Sequence, residues 1–181
     1  MLQRLGLPFD TVSPDIDESA LPGETPEALS QRLSLTKAQH VVGQYPNSLV
    51  IGSDQVATHD GKPIGKPGSH ARAFEQLREL SGKTVAFHSA LAVTDGVRSA
   101  VADVVTHCRF RALTDQEIEH YLNMEKPFDT AGSAKAEGLG ISLMESMHSD
   151  DPTAIIGLPL IELSRMLRSF KLNPTLLAQP L

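Results

Sequence analysis

Two alternating apolar segments flank the dipeptide Asp95-Gly96, and together they predict a long β-hairpin. Alternate residues of the first segment are large and apolar (Val85, Phe87, Leu91 and Val93), and a second run spans 97–111. Asp-Gly favours the tight turn that joins two antiparallel strands. A ribbon with an apolar face needs other elements to cover that face, so the rest of the chain must supply a sheet and helices around it.

Helical and extended signals alternate along the rest of the sequence. The predicted helices run from Thr25-Pro26 to Val42, from Ser69 to Leu80, from a Thr114–Glu117 capping box to Met124, and from Pro159 onward, and Met1 to Leu5 forms a last helical turn stopped by Gly6. Short strands are predicted at Phe9–Ser13, Ser48–Gly52 and Leu139–Met144. This alternation predicts an α/β fold. We expect one domain over 1–173 and a fraying tail over 174–181.

Composition excludes several functional classes. The net charge of −6 disfavours a broad nucleic-acid-binding surface. No apolar run approaches the ~20 residues of a membrane span, and the N-terminus lacks the pattern of a signal peptide. The single cysteine, Cys108, excludes an internal disulfide framework and is expected to be a buried structural thiol. These features predict a cytoplasmic protein that contacts neither membrane nor nucleic acid.

The common catalytic signatures are missing. The sequence contains no GxSxG and no HExxH, which disfavours a serine nucleophile elbow and a histidine-bound metal. The segment GKPIGK at 61–66 is one residue short of a P-loop, and Pro67 stands where that motif needs Ser or Thr.

Four polar residues remain as candidates. Asp54 follows the apolar segment SLVIG, at the strand end where open α/β sheets place their sites, although an aspartate there is also a common turn-former. Lys66 lies in a stiff Gly-Lys-Pro loop and could contact an anion, whereas an isolated loop lysine is more often solvated. Lys37 lies within a helix, and Glu18 belongs to the acidic loop DIDES, which could be surface decoration or a metal-binding wall.

Four ordered segments together resemble the Maf family of nucleoside triphosphate pyrophosphatases. They are IGSDQV at 51–56, GKP at 65–67, DTAGSAKAEGLGISL at 129–143 and IIGLPL at 155–160. The resemblance runs from Met1 to about Asn173 and is strongest to the 7-methyl-GTP pyrophosphatase branch. It implies a mixed, twisted sheet with flanking helices, two lobes around a cleft, and a homodimer. The implied reaction converts a nucleoside triphosphate and water to the monophosphate and pyrophosphate.

The resemblance also implies residue roles. Asp54 would be the general base that prepares the attacking water, and Lys37 and Lys66 would hold the phosphates. Glu18 would bind a divalent cation, Mg²⁺ or Mn²⁺, together with Asp54. Such a cation and the lysines would offset the charge of the triphosphate and of the leaving pyrophosphate. Lys62, in the first Gly-Lys-Pro, matches no family position.

Gln55 and Glu137 are the implied substrate-selecting residues. In the family branch that acts on dTTP and UTP, the position of Glu137 is typically glutamine. A carboxylate only accepts hydrogen bonds, which suits the two adjacent donors of guanine and the positive charge of a 7-methylated base. Glu137 therefore favours 7-methyl-GTP or a related modified nucleotide, with a dTTP/UTP pyrophosphatase as the alternative.

The sequence departs from the family pattern in two places. The family opens with a strand and a phosphate loop of the form S-x-S-P-x-R-R, whereas this sequence begins within the helix that follows that loop. Ala134 stands where the family usually has Tyr or Phe, which puts a base-stacking role there in doubt. A second alternative is therefore a catalytically impaired relative that acts by binding, for instance in the control of septum formation and cell division.

Overall fold

The structure is a computed structural model that describes residues 1–177, and its centre is one five-stranded sheet. The strands are β1 (Val50–His59), β2 (Lys62–Ile64), β3 (Thr84–Thr94), β4 (Ser99–Phe110) and β5 (Met144–His148), in the order β2-β1-β3-β4-β5. The β3–β4 ribbon pairs from Thr84 with Arg109 to Thr94 with Ser99. The hairpin predicted around Asp95-Gly96 is therefore confirmed. All pairings among the described strands are antiparallel. A mixed sheet would also contain a parallel pair, and the described strands form none.

Helices flank the sheet, as an α/β fold requires. They are α1 (Pro26–Val42), α2 (His70–Leu80), α3 (Asp115–Glu125), α4 (Leu160–Ser169) and α5 (Pro174–Leu177). The side chain of Thr25 accepts a hydrogen bond from Ala28 N, and Thr114 and Glu117 form the predicted reciprocal capping box. The predicted helices and the α/β class are confirmed. The predicted tail begins with the short α5, and residues 178–181 lie outside the described part of the chain.

Three predicted strands need correction. Phe9–Ser13 is neither strand nor helix, because Pro8 and Pro14 bracket it and no strand in the described part of the chain pairs with it. Leu139–Leu143 forms a 3₁₀ helix and the strand begins only at Met144. The close approach of the Lys135 backbone to Gly140 holds that segment in a tight turn: a Cβ added at Gly140 would lie 2.5 Å from the Lys135 carbonyl oxygen.

The strand predicted at Ser48–Gly52 also differs. It begins at Val50 and continues through the polar residues 53–55 to His59. Pairing with β3 from Val50 to Thr58 holds the polar residues in extended conformation. Asp54 therefore lies in the middle of a strand, and the prediction that it sits at a strand end was wrong.

The two faces of the sheet are covered differently. On one face α1 packs closely on β1 and β3. On the other face, two separate hydrophobic clusters lie along β3, one containing Val85 and Phe87 and the other containing Leu91 and Val93. Ser89, which is buried, lies between them on the same face. This face of the sheet therefore carries two separate hydrophobic clusters, and the two lobes with a cleft between them stay a prediction.

One edge of β1 is only partly covered by a partner strand within residues 1–177. β2 pairs only with residues 57–59 of β1, so on that side residues 50–56 face no strand within residues 1–177. A cavity of about 750 Å³ lies along this edge, lined largely by apolar side chains such as Leu7, Phe9 and Val12. No helix in the described part of the chain is long and apolar enough to cross a membrane. Cys108 is fully buried, as predicted, and burial raises its pKa to about 12.

Candidate active site

A glycine lets α1 approach β1 closely enough to bring two charged residues together. A Cβ added at Gly52 would lie 2.1 Å from the Ser34 carbonyl oxygen and 2.9 Å from Ala38 N. Only a residue without a side chain fits there. The same face of β1 carries residue 54 two positions later, and the next turn of α1 carries residue 37. The Gly52 contact thus sets the spacing of Lys37 and Asp54.

Lys37 bridges two carboxylates. Its Nζ donates to Asp54 Oδ1 at 2.7 Å and lies 2.7 Å from Glu18 Oε1. Asp54 is 12% exposed, Lys37 18% and Glu18 54%. The group therefore runs from an almost buried acid to an acid at the surface, and the structure brings three of the predicted site residues into direct contact.

The pKa values of the two carboxylates shift in opposite directions. Burial raises the pKa of Asp54, and the hydrogen bond from Lys37 opposes that shift. The hydrogen bond from Lys37 lowers the pKa of the more exposed Glu18. Burial disfavours the charged form of Lys37, but its hydrogen bonds to Asp54 and Glu18 outweigh burial and raise its pKa. Of the two acids, Asp54 is the one that binds a proton more readily, which is the property a general base needs.

Lys66 lies at the rim of this group. Its positive charge lowers the pKa of both Glu18 and Asp54, although within residues 1–177 it forms no ion pair with either. Its loop is held in place, because Gln76 Nε2 donates to the Gly65 carbonyl at 3.1 Å and Gly68 N donates to the Phe128 carbonyl at 2.8 Å. The Lys66 side chain is exposed.

Gln55 points to the opposite face of the sheet from Asp54. Its Nε2 donates to Ser89 Oγ at 2.8 Å and to the carbonyls of Ala154 and Ile155 at 3.1 and 3.2 Å. Ser53 Oγ on the same face donates to the Gly157 carbonyl at 2.6 Å. These bonds tie the IIGLPL segment to the back of β1, behind Asp54. The structure therefore does not bring Gln55 together with Asp54, and its predicted role in substrate binding stays a prediction.

Glu137 lies in a separate loop. It is exposed between two 3₁₀ helices, and its negative charge helps to raise the pKa of the buried Tyr121 on α3. Within the described residues it makes no ion pair with Lys37 or Lys66. Its loop is nevertheless joined to the Lys66 loop, since Ser133 Oγ donates to the same Gln76 side chain that holds Gly65.

Sequence reasoning missed the residues that position the site. Gln76 bridges the loops of Lys66 and Glu137, and Ser53 and Ser89 anchor the segment behind Asp54. Ser53 and Gln55 are two positions apart, so in a strand their side chains lie on the same face, and this spacing could have indicated their shared anchoring role. The sequence prediction ended the strand at Gly52, however, and so did not place them on it.

The donor set fits a divalent cation that binds together with phosphates. No group of three or more His, Cys, Asp or Glu side chains in the described part of the chain could hold a metal by itself. Glu18 and Asp54 supply two carboxylates that already converge on one cationic nitrogen. Mg²⁺ is commonly bound by one or two carboxylates plus substrate phosphates and water. These two residues therefore suit a cation that arrives with a phosphorylated substrate.

A nearly buried acid that shares a lysine with a second acid can bind a cation together with phosphates, as enzymes acting on phosphorylated substrates do. The sequence profile of the family described as Maf-like protein matches residues 1–170, and the chain belongs to this family. A 7-methyl-GTP pyrophosphatase of Bordetella avium (strain 197N) is 66% identical over 174 residues, which cover 96% of this chain and 88% of the relative. The protein of that name from Bordetella pertussis (strain Tohama I) is 64% identical, with 96% and 87% covered. The one from Cupriavidus pinatubonensis (strain JMP 134) is 56% identical over 170 residues, with 93% and 85% covered.

Proposed function

We propose that this protein is a pyrophosphatase that hydrolyses 7-methyl-GTP, or a related modified nucleotide, to the monophosphate and pyrophosphate. The observation that carries the proposal is the contact of Lys37 Nζ with both Asp54 and Glu18 at 2.7 Å. The relatives named 7-methyl-GTP pyrophosphatase, at 56–66% identity, support the choice of substrate.

In the proposed mechanism Asp54 takes a proton from the attacking water. Burial raises its pKa in the cation-free protein, and its partial exposure leaves it reachable by water. A lysine ammonium has three N–H donors, and Lys37 uses two of them on Asp54 and Glu18. The third is free for a phosphate oxygen. Lys66, at the rim, holds the other end of the phosphate chain.

We propose that Mg²⁺ or Mn²⁺ is the cofactor, held by Glu18 and Asp54. When bound, the cation would neutralise phosphate charge and polarise the phosphorus that water attacks. Lys37 keeps the two carboxylates oriented in the absence of a cation, and Asp54 receives the proton of the attacking water.

We propose that Glu137 selects the base. Its exposed carboxylate accepts the two donors of a guanine edge and attracts a methylated, positively charged ring, whereas it would repel a thymine or uracil carbonyl. The linkage of its loop to the Lys66 loop through Gln76 supports a base placed near phosphates that Lys66 holds.

Pyrophosphate release from a panel of 7-methyl-GTP, GTP, dTTP and UTP, with Mg²⁺ and with Mn²⁺, tests the proposal. We expect 7-methyl-GTP to give the highest kcat/KM. Preference for dTTP or UTP would move the protein to the other substrate branch, and release from no nucleotide would refute the enzymatic role.

We also propose that the protein works in the cytoplasm as a homodimer. The family resemblance supports the dimer. Sedimentation of the purified protein is expected to give twice the 19.5 kDa chain mass, and a single-chain mass would contradict the dimer.

A further inference from the structure

The segment that carries Glu18 has no regular structure of its own. Residues 7–21 belong to no helix or strand. The Glu18 carboxylate is 54% exposed and contacts Lys37. A long, half-exposed side chain on an irregular segment keeps a fixed position only if the backbone beneath it is fastened.

Arg32 fastens that backbone to α1. Its Nε donates to Glu24 Oε1 at 2.6 Å and its Nη2 donates to Glu24 Oε2 at 2.8 Å, the two-pronged geometry that makes arginine–carboxylate pairs specific. Nη2 also donates to the Ser19 carbonyl at 2.9 Å. Arg32 is 28% exposed and Glu24 is 8% exposed, so this is not a loose surface pair. The guanidinium thus holds both ends of the segment 19–24.

Two further bonds complete the fastening. Leu21 N donates to Glu24 Oε2 at 2.9 Å, and Ser19 N donates to Asp17 Oδ1 at 2.9 Å. Ser19 directly follows Glu18, so the bond between Arg32 and the Ser19 carbonyl fixes the backbone next to the Glu18 side chain. Arg32 and Lys37 both belong to α1, so one rigid helix positions both Glu18 and the lysine that it meets.

We propose that Arg32 is a positioning residue, which clamps the segment 17–24 to α1 through Glu24 and Ser19 and thereby holds the Glu18 carboxylate at the cation-binding position. This inference rests on the proposed function for its catalytic consequence. Arg32 acts through Glu18 and touches neither nucleotide nor cation. Lysine at this position would keep the charge but lose the two-pronged bond and the simultaneous contact with Ser19.

The test compares Arg32→Lys with Arg165→Lys, since Arg165 makes a similar fork with Glu162 on α4, away from the site. In Arg32→Lys we expect the Mg²⁺ concentration for half-maximal pyrophosphate release to rise about tenfold, the usual size of a lost supporting contact at a metal site. The KM for nucleotide at saturating Mg²⁺ should stay within about twofold. Arg165→Lys should leave both unchanged.

Hydrogen exchange provides a readout that does not need activity. The amides of Ser19 and Leu21 should exchange at least about tenfold faster in Arg32→Lys, while those in the middle of α1 stay protected. Unchanged exchange in 17–24 would overturn the proposal whatever the nucleotide assays show. If the wild type releases no pyrophosphate but the exchange changes as expected, the clamp stands and the proposed function fails.

A double-mutant cycle with Glu18→Ala separates positioning from direct contact. If Arg32 acts through Glu18, Arg32→Lys adds less than about twofold to the loss already caused by Glu18→Ala. An equal further loss of activity in both backgrounds would show that Arg32 meets the substrate itself, and would overturn the proposal.

Discussion

Replacing Lys37 by methionine removes the charge at the centre of the site and keeps the length of the side chain. Each carboxylate oxygen lies 2.7 Å from the same nitrogen, so Glu18 Oε1 and Asp54 Oδ1 are at most about 5.4 Å apart. At an effective dielectric constant of about 20, two like charges at this distance repel by about 3 kcal/mol. Glu18 is 54% exposed and can turn toward water, which reduces the net cost to about 1–2 kcal/mol.

For a chain of this size that cost lowers Tm by about 2–8 °C. Mg²⁺ can take the place of the ammonium between the two carboxylates, so millimolar Mg²⁺ should raise the Tm of Lys37→Met more than that of the wild type. Loss of a phosphate contact should also reduce kcat/KM for 7-methyl-GTP by about 10²–10³.

Differential scanning calorimetry with and without Mg²⁺, alongside a pyrophosphate assay, measures both effects. The matched control is Lys62→Met, an exposed lysine on β2 in the first Gly-Lys-Pro, which should change neither. If Mg²⁺ did not stabilise Lys37→Met, the assignment of Glu18 and Asp54 as the cation-binding pair would be refuted. Activity of Lys37→Met within threefold of wild type would refute the role of Lys37.

Three further predictions follow from other parts of the molecule. Glu137→Gln should lower the preference for 7-methyl-GTP over dTTP by about tenfold, the worth of one charge-assisted hydrogen bond, and an unchanged ratio of kcat/KM values would remove Glu137 from base selection. Gln55→Leu should destabilise the protein by about 1–2 kcal/mol in urea unfolding, because it leaves the Ile155 carbonyl without its side-chain donor, while Ser89 Oγ still donates to the Ala154 carbonyl; a loss below about 0.5 kcal/mol would contradict that anchoring role. Hydrogen bonds from Thr114 lower the pKa of Glu117 from 4.5 to about 2, so its contribution to stability is complete above 4.5 and disappears as the pH falls toward about 2. The stability of Glu117→Gln should therefore fall less than that of the wild type across this range, and parallel curves would disprove the capping contribution.

Local signals in the sequence were enough to predict most of the helices and the central hairpin. The Thr114–Glu117 capping box and the Asp95-Gly96 turn depend on residues next to one another, and both are present in the structure. The segment at Leu139–Met144 misled because its apolar run resembles a strand, whereas the backbone packing at Gly140 makes most of it a 3₁₀ helix.

The site could be predicted only in part. Motif resemblance selected Glu18, Lys37 and Asp54, and the structure places these three in contact. Period-two alternation sends neighbouring residues of a strand to opposite faces, so once β1 extends through the polar triplet, Gln55 must point away from Asp54. The extension itself depends on long-range pairing with β3, which a local pattern does not contain.

The clamp made by Arg32 and Glu24 could not be predicted from the sequence either. The two residues are eight positions apart, on a helix and an irregular segment, and no sequence periodicity relates them. Their contact depends on how the segment 17–24 folds back over α1, which only the tertiary structure shows.

Asp54 is proposed to activate the water that cleaves the nucleotide. Asp54→Asn keeps the shape of the side chain, so the most direct measurement is single-turnover hydrolysis of 7-methyl-GTP by this variant and by the wild type at saturating Mg²⁺. We expect the rate of Asp54→Asn to be lower by a factor of about 10²–10⁴, with Tm within about 5 °C of wild type. A rate within threefold of wild type in a folded variant would show that Asp54 is not the general base.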